Sequence, residues 1–481
     1  MADALKQLDG PGEPTTPSYV LDLPVLEEQV GGFRRALDRH WPNAILSYSF
    51  KTNSLPWLLS FMHRRRVWAE VVSDSEYELA LAVGFSPDRI VFNGPVKGRD
   101  RLRQALLCGA VINLDSKREV RWAVELAAEE SDRVLRAGLR VNWDLDARCP
   151  GENTLAGASS RFGFNAENGE LGQAITTLES AGVHVTGLHM HRNSRTQSLE
   201  VFRAAAGVAA ELITSHQLRL DWIDIGGGFF NSPGGSPTFG QYVSAIREEL
   251  DGTIDVEQTR LIVEPGGSLI AVPVEFHARV IDVKLIGGQR FVITDASRTD
   301  IDPQFRREKD FGLRLETAST ESVPEQVICG FTCMENDRLT VLKDAPLLRE
   351  GDRIVFERVG AYTMSYQSSF IEFPPAVFVR HGESLEQVRR KGTAEDCLRG
   401  NIWSESAQPI TAKPSGPAEH HEVVSSSRGE SGFTPQERRI IVPPDQRSEE
   451  VSGDIGSGEM AERVASSETR IDVDDERLTF G

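Results

Sequence analysis

The side chains whose chemistry stands out are Lys51 in SYSFKTN, His189 and His191 in GLHMHRNS, Glu264 in VEPGG, and Gly226, Gly227 and Gly228 in IDIGGGF. A lysine just beyond an apolar segment is usually solvated; inside a closed site it can form an imine with a carbonyl cofactor. Three consecutive glycines leave backbone N–H groups unshielded and permit positive φ, which suits a phosphate dianion as well as a plain turn. The GxGxxG pattern is absent, so the run is not a dinucleotide fingerprint. Glu264, ending an apolar run, needs a cation: a structural arginine or a protonated pyridine nitrogen. The HxH pair could bind a metal. Alternatively His191 stacks on an aromatic cofactor while His189 fills the interior, or both are ordinary core histidines.

Those residues need elements to hold them. From Ala44 to about Glu264, short apolar runs alternate with amphipathic stretches of helical length. The runs are Ile45–Phe50, Ala69–Val72, Ile90–Asn93, Val111–Leu114, Leu135–Val141, Val185–His189, Trp222–Ile225 and Leu261–Val263. The helical stretches are Leu55–Arg66, Ser75–Val83, Arg99–Leu107, Lys117–Glu129, Leu171–Ala181, Ser198–Ser215 and Phe239–Leu250. Such alternation implies parallel strands with right-handed crossovers, and eight units fit a closed (β/α)8 barrel. Chemistry in these barrels sits at the C-terminal strand ends. Lys51 follows the first run, His191 the sixth and the glycines the seventh, and Glu264 ends the eighth.

After Glu264 the helical period fades. Val274–Leu285, Arg290–Thr294, Glu325–Cys329, Arg338–Leu342, Asp352–Phe356 and Ala376–Val379 read as strands, and Ser18–Leu23 is a further strand available to the same layer. The expected fold class is α/β. A TIM-like (β/α)8 barrel spans residues 18–268 after an arm (1–17), and a β-rich C-terminal domain spans 269–385. A linker and mostly disordered tail (386–481) complete the chain. From about Gln408 to Gly481 Ser, Glu, Pro, Gly and Arg dominate, too little apolar surface to offset ordering entropy. His420 and His421 there read as solvated.

Composition narrows the function. A chain of 481 residues can bury a large core. Its formal net charge of -19 argues against nucleic acid or an anionic membrane as partner and leaves a small-molecule substrate. No apolar run approaches a membrane span, and the first residues lack a secretory pattern, so a cytoplasmic location is expected. Five scattered cysteines, Cys108, Cys149, Cys329, Cys333 and Cys397, suggest neither a disulfide framework nor a zinc site. No metal is expected.

Cys333, in CGFTCMENDRL, and Tyr362, in GAYTMSY, read alone as ordinary packing. In order, however, SYSFKTN, AEVVSDSEYELA, VFNGPVK, INLDS, SRFGFN, GLHMHRNS, IDIGGGF, VEPGG, CGFTCMENDRL and GDRIVFERVGAYTMS resemble the ornithine/diaminopimelate/arginine decarboxylase family. These are pyridoxal 5'-phosphate (PLP) enzymes of the alanine-racemase fold, fold type III, and the resemblance runs from about Tyr19 to Val379. It implies a PLP-dependent decarboxylase of an amino acid or amino-acid-like substrate, acting as a homodimer with composite active sites. It implies further that Lys51 holds the cofactor covalently, His191 stacks on the ring, and Gly226, Gly227, Gly228 and Ser194 hold the phosphate with Tyr362 nearby. Glu264 would pair with the pyridine nitrogen, and Cys333 would reach across from the other subunit to protonate the carbanion. Glu70 and Arg140 match further cofactor-site positions. The alternatives on this fold are a PLP racemase and a catalytically inactive regulatory homologue. Outside it stands a metal-dependent barrel hydrolase using His189 and His191.

Three positions depart from the family pattern. Gly267 stands where the family has Arg after EPG, with Arg192 or Arg298 as candidate replacements. Arg192, Asn193 and Ser194 stand in place of a segment close to IGS. Met334, with Glu335 adjacent, replaces the carboxylate that binds a distal amino group. A methionine cannot pair with an ammonium. The expected substrate, in contact with Met334, Glu335 and Tyr362, is therefore larger or lacks the usual distal charge, as in specialised metabolism.

Overall fold

The computed structural model describes residues 8–10, 13–153, 158–194, 196–230, 235–305, 312–367 and 369–402; the expected tail, Gln408 to Gly481, lies outside them. Strand β1 (Ser18–Asp22) leads into an 18-residue helix, Leu23–His40. Eight parallel strands follow: β2 (Ala44–Ser49), β3 (Trp68–Val71), β4 (Ile90–Phe92), β5 (Val111–Leu114), β6 (Leu135–Asn142), β7 (Val183–His189), β8 (Trp222–Asp224) and β9 (Arg260–Val263). Each pairs with the next, and β9 pairs back onto β2, closing the expected barrel.

The crossover helices begin on their own caps. Ser73 accepts from Glu76 N at 3.2 Å and Ser116 from Glu119 N at 3.4 Å, while Thr238 and Gln241 cap reciprocally. Each such cap contributes about 1 kcal/mol.

Period-two alternation sorts the barrel interior into layers. Ile45, Val91, Val111, Trp222 and Ile262 form a buried apolar cluster of their own. Two residues further along the same strands stand Ser47, Asn93, Asn113, Asp224 and Glu264, all buried. The floor is therefore apolar and the layer above it polar. Trp222 plugs the floor so tightly that a Cβ on Gly187 would lie 2.1 Å from its indole.

The second layer is a mainly antiparallel sheet. Its spine, β10 (Val274–Ile286), pairs with β1, with β11 (Gln289–Thr294) and with β15 (Arg353–Phe356). Strand β12 (Leu313–Glu316) flanks β15; β13 (Ser322–Cys329) joins β11 and β14 (Arg338–Pro346). Strand β16 (Ala376–His381) runs parallel to β1 and turns back into β17 (Ser384–Arg389).

Two boundaries need correction. Strand β1 pairs with β10 and β16 of this sheet, so starting the barrel at residue 18 assigns it to the wrong layer. The sheet also continues past 385 through β17, and a capped helix, Ala394–Leu398, follows it. Among the described residues no helix is long and apolar enough to cross a membrane.

Candidate active site

Lys51 lies in a one-turn helix, Phe50–Thr52, directly after β2. Its Nζ donates to Glu70 Oε2 and to Ser49 Oγ, each at 2.8 Å. The lysine side chain is 42% exposed and the Glu70 side chain 1%, so the amine faces the barrel mouth while its carboxylate partner is buried. Desolvation pulls the ammonium pKa down, but Glu70, Glu264 and Tyr362 outweigh it, and the net shift is upward.

A hydrogen-bonded chain runs from this pair across the polar layer. Asn93 Nδ2 donates to Glu70 Oε1 at 3.2 Å and also to Glu264 Oε1. Asn113 Nδ2 donates to Asn93 Oδ1 and to Asp224 Oδ2, both at 2.9 Å. Burial raises the carboxyls of Asp224 and Glu264, which are also hydrogen-bonded to each other. Such a pair retains a proton until a cation arrives. His189 Nε2 is 3.6 Å from Glu264 Oε2, but burial, then Arg140, His191 and Lys51, depress its pKa well below the usual range, so it supplies no charge. Both ring nitrogens of His189 are buried without a hydrogen-bond partner. Glu264 thus has a buried carboxylate with no cation paired to it among the described residues, which fits the protonated nitrogen of a pyridine ring.

His191 stands two residues beyond the end of β7, at the start of the loop that follows. Gly227 N donates to its Nδ1 at 3.3 Å, which requires a lone pair there. Desolvation first, then Arg140, Lys51 and Arg192, lower its pKa to about 3, leaving a neutral, flat ring. Glycine is required beside it. Gly226 has φ +77°, and a Cβ there would lie 2.5 Å from His191 Cβ; a Cβ on Gly227 would lie 2.5 Å from the Glu264 carbonyl oxygen. Ser194 Cα lies 3.6 Å from the Cβ position of Gly228. Tyr362 (φ +57°) donates its backbone N–H to Thr52 O at 2.8 Å, and Asn53 Nδ2 reaches Gly360 O at 2.9 Å, so the sheet's 360–365 loop clasps the Lys51 turn.

The structure thus brings Lys51, Glu70, His191, Ser194, Gly226, Gly227, Gly228, Glu264 and Tyr362 to one mouth. It adds Asn93, Asn113 and Asp224, which sequence reasoning missed. Their signal was a polar residue one alternation beyond each apolar floor residue. His189, Asp224 and Glu264 also bring ligand-type atoms within 4.8 Å of one another, in this same layer.

The proposed stand-ins for an arginine at 267 fare differently. Arg298 pairs with Asp302 at 3.0 Å, and its backbone N–H donates to Asp337, so it is committed within the sheet. Phe230, not a cation, fills the space over Gly267: a Cβ there would lie 2.7 Å from Phe230 Cζ. Cys333 and Glu335 are exposed on the turn between β13 and β14, and Met334 is half-buried. Asp337 shapes that turn, accepting from Thr332 N at 3.1 Å and Thr332 Oγ1 at 2.6 Å.

A lysine, a neutral histidine and a glycine loop around an uncompensated carboxylate define a barrel enzyme built for an aromatic carbonyl cofactor. Residues 25–271, more than half of the chain, match the family described as pyridoxal-dependent decarboxylase, pyridoxal binding domain. The chain belongs to the pyridoxal-dependent decarboxylases, and its cofactor is PLP. It is 29% identical over 396 residues to diaminopimelate decarboxylase of Helicobacter pylori, covering 80% of this chain and 95% of that one. Against a probable chloroplastic diaminopimelate decarboxylase of Oryza sativa subsp. japonica the identity is 28% over 400 residues, with 80% and 79% covered. The crystal structure of the Helicobacter pylori enzyme complexed with L-lysine superposes with a TM-score of 0.68 at 26% identity, covering 83% of this chain and 98% of that one.

Proposed function

We propose that this decarboxylase acts on an amino-acid-like substrate whose far end lacks the usual ammonium, and that it works as a homodimer with composite sites. The observation that carries the reading of the site is the Lys51–Glu70 pair set beside the uncompensated Asp224–Glu264 carboxyls. PLP bound there supplies an electron sink for the pair left on the α-carbon when carbon dioxide departs.

This chain's own residues would divide the remaining work. Lys51 holds the aldehyde through Nζ, and Glu70 keeps that amine in place. Glu264, buttressed by Asn93 and Asp224, holds a proton on the ring nitrogen. The neutral imidazole of His191 would flank the ring. Gly226, Gly227, Gly228 and Ser194 cradle the phosphate, with Tyr362 at its edge.

Cys333 is exposed in the single chain, which suits a thiol that serves a neighbouring site: Cys333 of the partner subunit returns the proton to the α-carbon. Tyr366, Phe370 and Ile371, all exposed just beyond Tyr362, form an apolar surface suited to such a partner. The curated relatives are named for diaminopimelate, which ends in both an ammonium and a carboxylate. Met334 offers nothing to the ammonium.

The test is a mass-spectrometric assay of the purified chain with PLP against L- and D-amino acids, diamino acids and their conjugates, with Lys51→Ala as control. A product lighter by one carbon dioxide, absent in the control, is expected from a substrate without a distal ammonium. Full activity on diaminopimelate or ornithine would overturn the substrate reading. A holoprotein inert toward the whole panel would favour the regulatory homologue.

A further inference from the structure

A cavity of about 720 Å³ opens where β6 ends, and the residue after His191 reaches it. That residue, Arg192, lines it together with Asn142, the last residue of β6, and Trp143. That volume exceeds what a short side chain needs and is typical of a ligand site.

The charges in the cavity are unequally committed. Asp144 accepts from Ala147 N at 3.0 Å, capping a helical turn. Asp146 accepts from Asn153 Nδ2 at 2.6 Å, and Glu167 from Asp144 N at 2.9 Å. Glu170 pairs with Lys117. These carboxylates shape the loops that carry them. Arg192 is different. Its Nη1 donates to Asn142 Oδ1 at 3.2 Å and its guanidinium carbon lies 5.9 Å from the Trp143 ring centroid. Its Nε is buried without an acceptor, and no carboxylate stands within ion-pair distance among the described residues. A half-buried guanidinium, held flat by an amide and an indole, with Asp144, Glu167 and Asp146 near enough to act on it but none in ion-pair contact, keeps donors available for a planar anion.

We propose that this cavity receives the distal end of the substrate and that Arg192 pairs there with a carboxylate. The substrate class is then an amino acid, or an amino-acid conjugate, with an acidic far end. The inference rests on the reading of Lys51 as the end where the reacting amine is held.

The test uses the full-length holoprotein and straight-chain amines of matched length that end in a carboxylate, a methyl or a second ammonium. Such amines resemble decarboxylated products and bind without turnover. Binding is read from the cofactor absorbance and by calorimetry, for wild type, Arg192→Gln and Arg192→Lys. Carboxylate-ended amines are expected to bind tightest. Arg192→Gln should weaken them by about tenfold or more, with partial recovery in Arg192→Lys and with the loss confined to that ligand class. Equal weakening of all three classes would overturn the proposal, as would a preference for the diammonium series. Because binding is measured apart from turnover, a chain that decarboxylates nothing in the panel but still selects carboxylate ends through Arg192 would sink the decarboxylation reading and leave this subsite standing.

Discussion

Phe230 and Gly267 share one volume: a Cβ on Gly267 would lie 2.7 Å from Phe230 Cζ and 2.9 Å from Cε1. The arginine that the resembling family carries at this point has therefore not merely been lost; an aromatic ring has taken its room. Restoring it alone, as Gly267→Arg, should destabilise the protein by about 1–3 kcal/mol through overpacking and weaken cofactor binding. Adding Phe230→Ala should recover both. Thermal unfolding and cofactor titration of the single and double variants decide this; a single variant as stable as wild type would show that the ring moves aside freely.

The Asp224–Glu264 pair makes the cofactor-free protein sensitive to pH. Burial raises both carboxyls, so each binds its proton more tightly folded than unfolded. Stability is then greatest at low pH and declines as pH rises, over a window that for Asp224 runs from 3.8 to about 7. Asp300, raised by burial to about 7, adds a slope of the same sign from the helix after β11. Glu264→Gln should flatten part of the decline and leave the share of Asp300. Unfolding temperatures of the two cofactor-free proteins from about pH 5 to about pH 8 provide the check; a wild-type protein that grows more stable over that range would show the pair already ionised.

His191 should contribute no limb to the activity profile. Its pKa, held at about 3 by burial and by Arg140, Lys51 and Arg192, lies below the working range. His191→Ala should weaken cofactor binding by about two- to tenfold, the worth of one ring contact, while His191→Phe preserves most of it. A rate limb near neutral pH that vanishes in His191→Phe would contradict this.

Much of this layout was legible in the residues. The eight barrel runs could be found because strands covered by helices outside and packed inside are apolar for nearly their whole length. Strands β12 and β17 escaped because alternate residues face solvent and their polar letters break the run. Strand β1 was visible and available to the β layer, although the barrel's expected start at residue 18 enclosed it; its pairing with β10 and β16 places it in that layer. At the site, Lys51, Glu264 and the glycines stood out as unusual residues at strand ends. Asn93, Asn113 and Asp224 did not, because the alternation marks them only as polar, and their hydrogen bonds to one another and to Glu70 and Glu264 cross the barrel. Phe230 carried no signal in the sequence, and only the three-dimensional overlap explains Gly267.

The proposed composite sites can be tested by mixing subunits. Lys51→Ala and Cys333→Ala homodimers should each be nearly inactive. Exchanging subunits between them should restore activity to about a quarter of wild type, because half of the random dimers are mixed and each of those carries one complete site. Failure to regain activity after verified exchange would place the proton donor within the same subunit as Lys51.

Strand β1 has a consequence for how the protein is made. It leaves the ribosome ahead of the barrel, yet its neighbours are β10, starting at Val274, and β16, ending at His381. The barrel strands can pair as they emerge, whereas β1 must wait until the barrel is made and β10 follows before it has a strand to join. The loop that clasps the Lys51 turn lies between those late neighbours. A nascent or prematurely terminated chain therefore carries Lys51 without its clasp, and the proposed site is assembled only once the late strands are in place.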